Sequence, residues 1–482
     1  MFSSCTFIPV LIYSYFFMSL TPKENNIPLS KFESMLKTNS VYFFDSAEFE
    51  EIIHYYLDSG KNSLAKKAIA LGLKQHPNSI TLKLLKAELL IFESKTKEAT
   101  LLLKELQAIE PTNEEIYVQQ ANIFSKNDEH EKAITSLKIA LAYTDDEADI
   151  LALIGMEYLF LNNFDEARFH FAKCLEVDFE DYSSLYNVIY CFDMEGKHTE
   201  AITYLTKYID EDPYSEVAWH QLGRQYFILE NYKEALRAFD YAVLIDEHFV
   251  GAYLEKAKTL EQLNKYEEAI ENYKETLKLD DPTSFVFLRI GECYEKIDNV
   301  KFAIEYYKKA VHEDPLLDKG WMAVTNLSLK EKRYSKALFY VKKAIEIDDQ
   351  NPLYWRKYAE INLKLNYFEE AVTAFEKCIL LQDFDISIWV GLSDVLCFLG
   401  EFEDALKNLL KAKSFFHDFA EIEYRLSGLY FKFNNSHKGK IHLINALTID
   451  FEYHTVIKEL FPEVYKMKEV KDIITQYKKT SL

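Results

Sequence analysis

Two histidines stand five residues apart in His-Lys-Gly-Lys-Ile-His, His437 to His442. Imidazoles that share a metal from one helix stand on a single face, as in the i,i+4 pair of HExxH. Five apart they diverge, so the pair reads as surface histidines. The six cysteines, Cys5, Cys174, Cys191, Cys293, Cys378 and Cys397, include no CxxC pair and no Cys/His cluster at ligand spacing. They read as buried free thiols in a reducing compartment. Carboxylates are abundant but alternate with Lys, as in Lys-Tyr-Glu-Glu-Ala-Ile-Glu-Asn-Tyr-Lys-Glu from Lys265 to Glu275, the pattern of a solvated helix face. HExxH, Walker, GxSxG and GxGxxG motifs are all missing from the chain. The expectation is no catalytic residue, no metal and no cofactor, hence no enzyme.

Composition narrows the classes further. With 12 Gly and 10 Pro in 482 residues there is little material for hairpins or phosphate-cradling loops, whereas 33 Tyr and 35 Phe suit helices packed through large side chains. Against 56 basic residues stand 78 acidic ones, a net charge of -22. Such a field repels phosphate backbones and anionic lipid, which disfavours nucleic acid and membrane as partners. The N-terminal run Phe7 to Leu20 is apolar but shorter than a bilayer span, with no basic residue before it. Either it is a weak signal or anchor, implying an exported or tethered protein, or translation starts at Met18. The second reading is preferred, with a cytoplasmic location.

The positioning elements come from a repeat. Steps of 34 residues from Ala269 meet Ala235, Ala201, Ala167, Ala133, Ala99 and Ala65 going back, and Ala303, Ala337, Ala371, Ala405 and finally Gly439 going forward. Four residues after each stands a bulky apolar residue, such as Phe171, Phe239, Tyr273 or Tyr307. Seven after, a small one is usual, Cys174 and Cys378 among them. Sixteen before, an aromatic is common, as at Phe49, Tyr117, Trp219, Trp321 and Trp355. Five before, Gly, Asn or Asp marks most copies, types that tolerate the left-handed end of a helix. Each copy therefore reads as helix, tight turn, helix, break, and the Ala column lets the two helices approach closely. A single hairpin cannot bury its apolar face, so neighbours must stack.

These columns resemble the tetratricopeptide repeat family. Copy six, Glu216 to His248, carries the fullest pattern in Trp219, Leu222, Gly223, Tyr226, Ala235, Phe239 and Ala242. The resemblance implies an all-α fold, a right-handed superhelical solenoid of about twelve hairpins over residues 46–453. Residues 1–45 precede it, with a capping box at Asp45 and Glu48 and a short covering helix from Leu29 to Leu36. Residues 454–482 follow as a capping helix opened by Pro462, with Val464, Met467, Val470, Ile474 and Tyr477 on its apolar side. Lys83 and Glu423 stand where the aromatic belongs and Gly439 where Ala belongs, departures read as loose or terminal units.

What the resemblance implies about function is a non-catalytic scaffold that binds a protein or peptide, since the flanks are too small for a catalytic domain. In the family the first helix of each unit lines the inner, concave groove. Position five of the units never carries the Lys of chaperone-tail binders. In units four to six the groove places hold Met156, Phe160, Tyr186, Tyr190, Met194, His220, Arg224 and Phe227, an aromatic stretch broken by one Arg. That composition suits an interface, with Arg224 meeting an acidic group. The competing reading buries the same residues against neighbouring units. In units seven to nine those places hold charged residues such as Lys258, Glu261, Glu295 and Lys330, which read as solvated.

Overall fold

Ala65, Ala99, Ala133, Ala167, Ala201, Ala235, Ala269, Ala303, Ala337, Ala371 and Ala405 are all fully buried, and Gly439 is buried with them. A methyl at this position lets the second helix of a hairpin lie close against its partner. The computed structural model describes residues 27–38, 42–281 and 283–480; the apolar run Phe7–Leu20 and Met18 lie outside them. The described residues form 28 α-helices and one 3-10 turn, with no strand among them.

The chain divides into two compact units at Asn231/Tyr232, inside the sixth repeat, where the repeat pattern itself marks no boundary. In the first unit, helix Ile27–Thr38 covers the start. Its Phe32 packs against Phe44, Phe49 and Tyr56 at centroid distances of 5.9, 6.2 and 6.2 Å. Asp45 and Glu48 close the expected capping box on helix Ser46–Asp58. Hairpins then follow in series, from Ser46–Asp58 with Asn62–Gln75 to Tyr182–Glu195 with His198–Glu211, and helix Glu216–Ile228 ends the unit. The second unit opens with Tyr232–Ile245 and continues through six hairpins, ending in Ala420–Lys432 with Ser436–Ile449.

Every hairpin turn is built alike. The residue five before the small column has positive φ in all twelve copies, including Ser94 (60°), Glu230 (59°) and Lys332 (57°), where composition gave no hint. The following N–H reaches back to the sixth-residue carbonyl, as in Lys61 N to Tyr56 O at 2.8 Å and Arg333 N to Ser328 O at 2.8 Å. This left-handed closure satisfies carbonyls that the helix end would orphan. The breaks between repeats have their own staple. Trp219, Trp321 and Trp355 donate Nε1–H to the carbonyls of Pro213, Pro315 and Asp349, each at 2.9 Å, and Tyr117 donates its hydroxyl to Pro111 O at 2.7 Å. The aromatic column thus fills space with its ring and ties the incoming loop with its polar edge.

The departures at Gly439 and Glu423 fall in the terminal hairpin, one of the two readings they were given. Gly439 is not a sign of loose packing: a Cβ there would stand 2.8 Å from the buried Phe431 ring. Glu423 is likewise built in, 5% exposed between Lys413 (2.5 Å) and His442 (2.6 Å). Burial pushes its pKa up, but His442 and Lys413 outweigh this and hold it below the ordinary value. The C-terminal segment is also not one helix. It forms Thr455–Leu460, Pro462–Lys466 and Lys468–Thr480, broken at Met467, whose ψ is 133°. The break lets the first two pieces pack on Ala420–Lys432 and the last on Ser436–Ile449. Phe461 lies over Gly428, where a Cβ would meet its ring at 2.2 Å.

Ala167→Leu should lower stability by about 1–3 kcal/mol, through overpacking of a contact with no spare volume; a urea melt measures it, and an unshifted midpoint contradicts the spacer role. Lys332→Gly removes a side chain from the left-handed region and should raise stability by up to about 1 kcal/mol, seen as a higher melting temperature.

Candidate functional site

Side chains four apart on a helix share a face, and three first helices of the first unit each carry candidate residues at such spacing. Helix Glu147–Phe160 contributes Met156 and Phe160, Tyr182–Glu195 contributes Tyr186, Tyr190 and Met194, and Glu216–Ile228 contributes His220, Arg224, Phe227 and Ile228. The opposite faces go to the core, with Leu185, Val188, Ile189 and Cys191 almost fully buried. Tyr186, Tyr190 and Met194 stay 41%, 47% and 52% exposed, large apolar surfaces left in water. Phe160 and Ile228 are exposed as well, Met156, Arg224 and Phe227 are half-buried, and His220 is buried at 9% exposure. The middle helix therefore presents the candidate residues most fully, and His220 is wall rather than surface.

Polar contacts that the sequence did not reveal hold the three helices in place. Gln225, fully buried, donates Nε2–H to Asp193 Oδ1 at 2.9 Å, and its Oε1 lies 2.9 Å from His198 Nδ1. Arg168 binds Glu195 at 2.5 Å and also Asp165, while its guanidinium lies 4.4 Å from the Phe192 ring centroid. His130 stacks on Phe160 with centroids 5.0 Å apart and holds Glu157 at 2.8 Å. Arg224 is steadied by its own helix, Nη1 donating to Gln221 Oε1 at 3.0 Å. Burial raises the pKa of the Tyr186 phenol, with Gln221 and Arg224 pulling it partly back. Only the Arg-on-aromatic composition signalled this site; Gln221, Gln225 and Arg168 gave no pattern of their own.

The same places in the second unit look different. Arg289 binds Glu261, with Nε at 3.1 Å, and Glu292 at 2.6 Å. Glu295 accepts from Tyr307 at 3.0 Å and pairs with Lys330 at 2.6 Å. These charges are matched within the chain, not merely solvated.

Residues 160–242 match the family described as "Anaphase-promoting complex, cyclosome, subunit 3", 51–175 the "Psidin, N-terminal TPR repeats region", and 250–282 and 354–384 the "Tetratricopeptide repeat" itself. The chain is a tetratricopeptide-repeat protein. Among curated proteins, Anaphase-promoting complex subunit 3 of Schizosaccharomyces pombe is 25% identical over 150 residues, 31% of this chain. The match spans 23% of that relative's length. Among solved structures, YrrB, titled a TPR protein with an unusual peptide-binding site, is 18% identical over 37% of this chain and 92% of its own, with a TM-score of 0.33. The Cut9–Hcn1 hetero-tetramer of the APC/C is 13% identical over 93% of this chain and 92% of its own, TM-score 0.32. A repeat protein from Cytophaga hutchinsonii reaches 0.41 at 16% identity, over 50% of this chain and 99% of its own.

In the first three repeats of this tetratricopeptide-repeat protein the first-helix carboxylates of Asp58, Glu88 and Glu115 lie within electrostatic reach of one another. Glu88 is exposed to solvent, yet desolvation by the groups crowding it and the charges of Glu115 and Asp58 push its pKa up to about 7. A carboxyl whose folded pKa lies above its ordinary value favours the fold most at low pH, and that contribution is lost as pH rises through about 7. Glu88→Gln should therefore raise the melting temperature at pH 8 and leave it unchanged at pH 4, and equal shifts at both would contradict the crowding.

Proposed function

We propose that this chain is a non-catalytic scaffold that binds a peptide or partner helix across the first helices of repeats four to six. The observation that supports it most is the exposed face of Tyr186, Tyr190 and Met194, with Arg224 near the Tyr186 phenol, on a framework braced by buried polar contacts. Water-exposed aromatic and Met side chains flanking an Arg are what interface hot spots are made of. Buried contacts such as Gln225 with Asp193 and Arg168 with Glu195 brace the framework, which favours a low ordering cost of association.

A place as one subunit of a larger protein assembly is favoured by a separate observation. The stretch similar to Anaphase-promoting complex subunit 3, residues 160–242, coincides with the repeats that bear the aromatic face. We further propose a reducing, cytoplasmic location, since Cys174, Cys191, Cys293, Cys378 and Cys397 are unpaired thiols, the first four of them buried. Burial pushes the Cys191 and Cys293 thiols up to about 12, so they sit as inert packing atoms. Among the described residues no helix is long and apolar enough to cross a membrane.

Joint replacement Tyr190→Ala and Arg224→Ala should reduce crosslinked partner recovery from the source cell at least about tenfold, with an unchanged melting curve. Undiminished recovery at unchanged stability overturns the reading.

A further inference from the structure

The chain has seven arginines, and six hold carboxylates of the chain itself: Arg168, Arg237, Arg289, Arg333, Arg356 and Arg425. Among the described residues Arg224 has no such ion pair, although acidic residues outnumber basic ones 78 to 56. Its position explains why. Asp193, on the adjacent first helix, is taken by Gln225 Nε2 at 2.9 Å and lies 3.5 Å from His198 Nδ1. Gln221, 1% exposed, accepts one Arg224 N–H at 3.0 Å. A guanidinium has five N–H donors in a planar fork, and one contact to a neutral amide leaves most of the fork open. It opens beside the Tyr186 phenol, whose pKa feels both Gln221 and the Arg224 charge.

We infer that Arg224 reads one internal Asp or Glu of the docked segment, with Gln221 as the residue that positions it. The inference rests on the docking reading above and specifies its partner: an amphipathic segment with a carboxylate between apolar anchors. Three considerations select this occupant. One uncompensated cation matches one carboxylate charge, whereas a phosphate group carries nearly two. The Tyr186 phenol lies within reach of the Arg224 charge, and exposed Ile228 stands one turn further along the same helix, so apolar surface flanks the fork and the acid is expected within the segment rather than at its end. A planar fork held by Gln221 suits bidentate pairing, which is stronger than a single contact.

The test is selection of a random peptide-display library on the full chain, in parallel with Tyr190→Ala and Arg224→Glu variants checked for unchanged melting. The expected outcome is that peptides dependent on Tyr190 share an internal Asp or Glu with apolar residues on both sides. Exchanging that acid for its amide should weaken binding at least about tenfold. Arg224→Glu should then select peptides with Lys or Arg at the same place. Tyr190-dependent peptides without an acid, with a terminal carboxylate only, or indifferent to the amide exchange overturn the role of Arg224 and leave the docking face standing. If no selected peptide depends on Tyr190, the docking face itself is overturned.

Discussion

A methyl group recurring every turn of the stack is the contact on which this molecule depends. Each Ala of the column is fully buried, and the helix that carries it can approach its partner only because nothing larger is there. The bulky residue four positions on then needs a recess, and the facing helix supplies one where the ring is largest. A Cβ at Gly155 would stand 2.8 Å from the Phe171 ring, and one at Gly291 would stand 2.4 Å from Tyr307. Small column and bulky column therefore interlock, each making room for the other. Left-handed turns hold the two helices of a hairpin in this register, and the aromatic staples hold one hairpin to the loop before it.

That construction leaves the exposed faces of the first helices free to vary. Their buried sides carry the packing, so the outward positions can be aromatic in one stretch and ionic in another at no cost to the stack. In the second unit the outward charges are matched internally, Arg289 with Glu261 and Lys330 with Glu295. Pairs of this kind leave little unsatisfied for a visitor. In repeats four to six of the first unit Tyr186, Tyr190 and Met194 stay exposed, and Arg224 pairs with the neutral Gln221 instead of a carboxylate. Their supporting network lies behind them, in Gln225, Asp193 and Arg168.

The first hairpin of the first unit and the last hairpin of the second are covered by the chain itself. Helix Ile27–Thr38 places Phe32 on the first hairpin, and the C-terminal pieces bend at Met467 to lie on both helices of the last one. Phe461 over Gly428 shows how an aromatic side chain seats against a first helix when the facing position is small. The terminal hairpin departs from the repeat at Gly439 and Glu423 with its packing intact: the Phe431 ring fills the space over Gly439, and Glu423 pairs with Lys413 and His442.

Repeat length, hairpin architecture, the buried column and most turn positions were determined by residue type alone, because sterics and backbone conformation act within a few residues. The capping box at Asp45 and the aromatic face at Tyr186 and Tyr190 were legible for the same reason, since four-residue spacing puts side chains on one face. Ser94, Glu230 and Lys332 in left-handed turns were not, because the stack imposes that conformation on whatever residue falls there. Nor could a string of letters say which carboxylates are spent. Pairs such as Arg168 with Glu195 or Arg425 with Asp394 join residues some thirty positions apart. Only helix packing brings such groups within a few ångströms, and so only the tertiary structure decided that Arg224 stands apart.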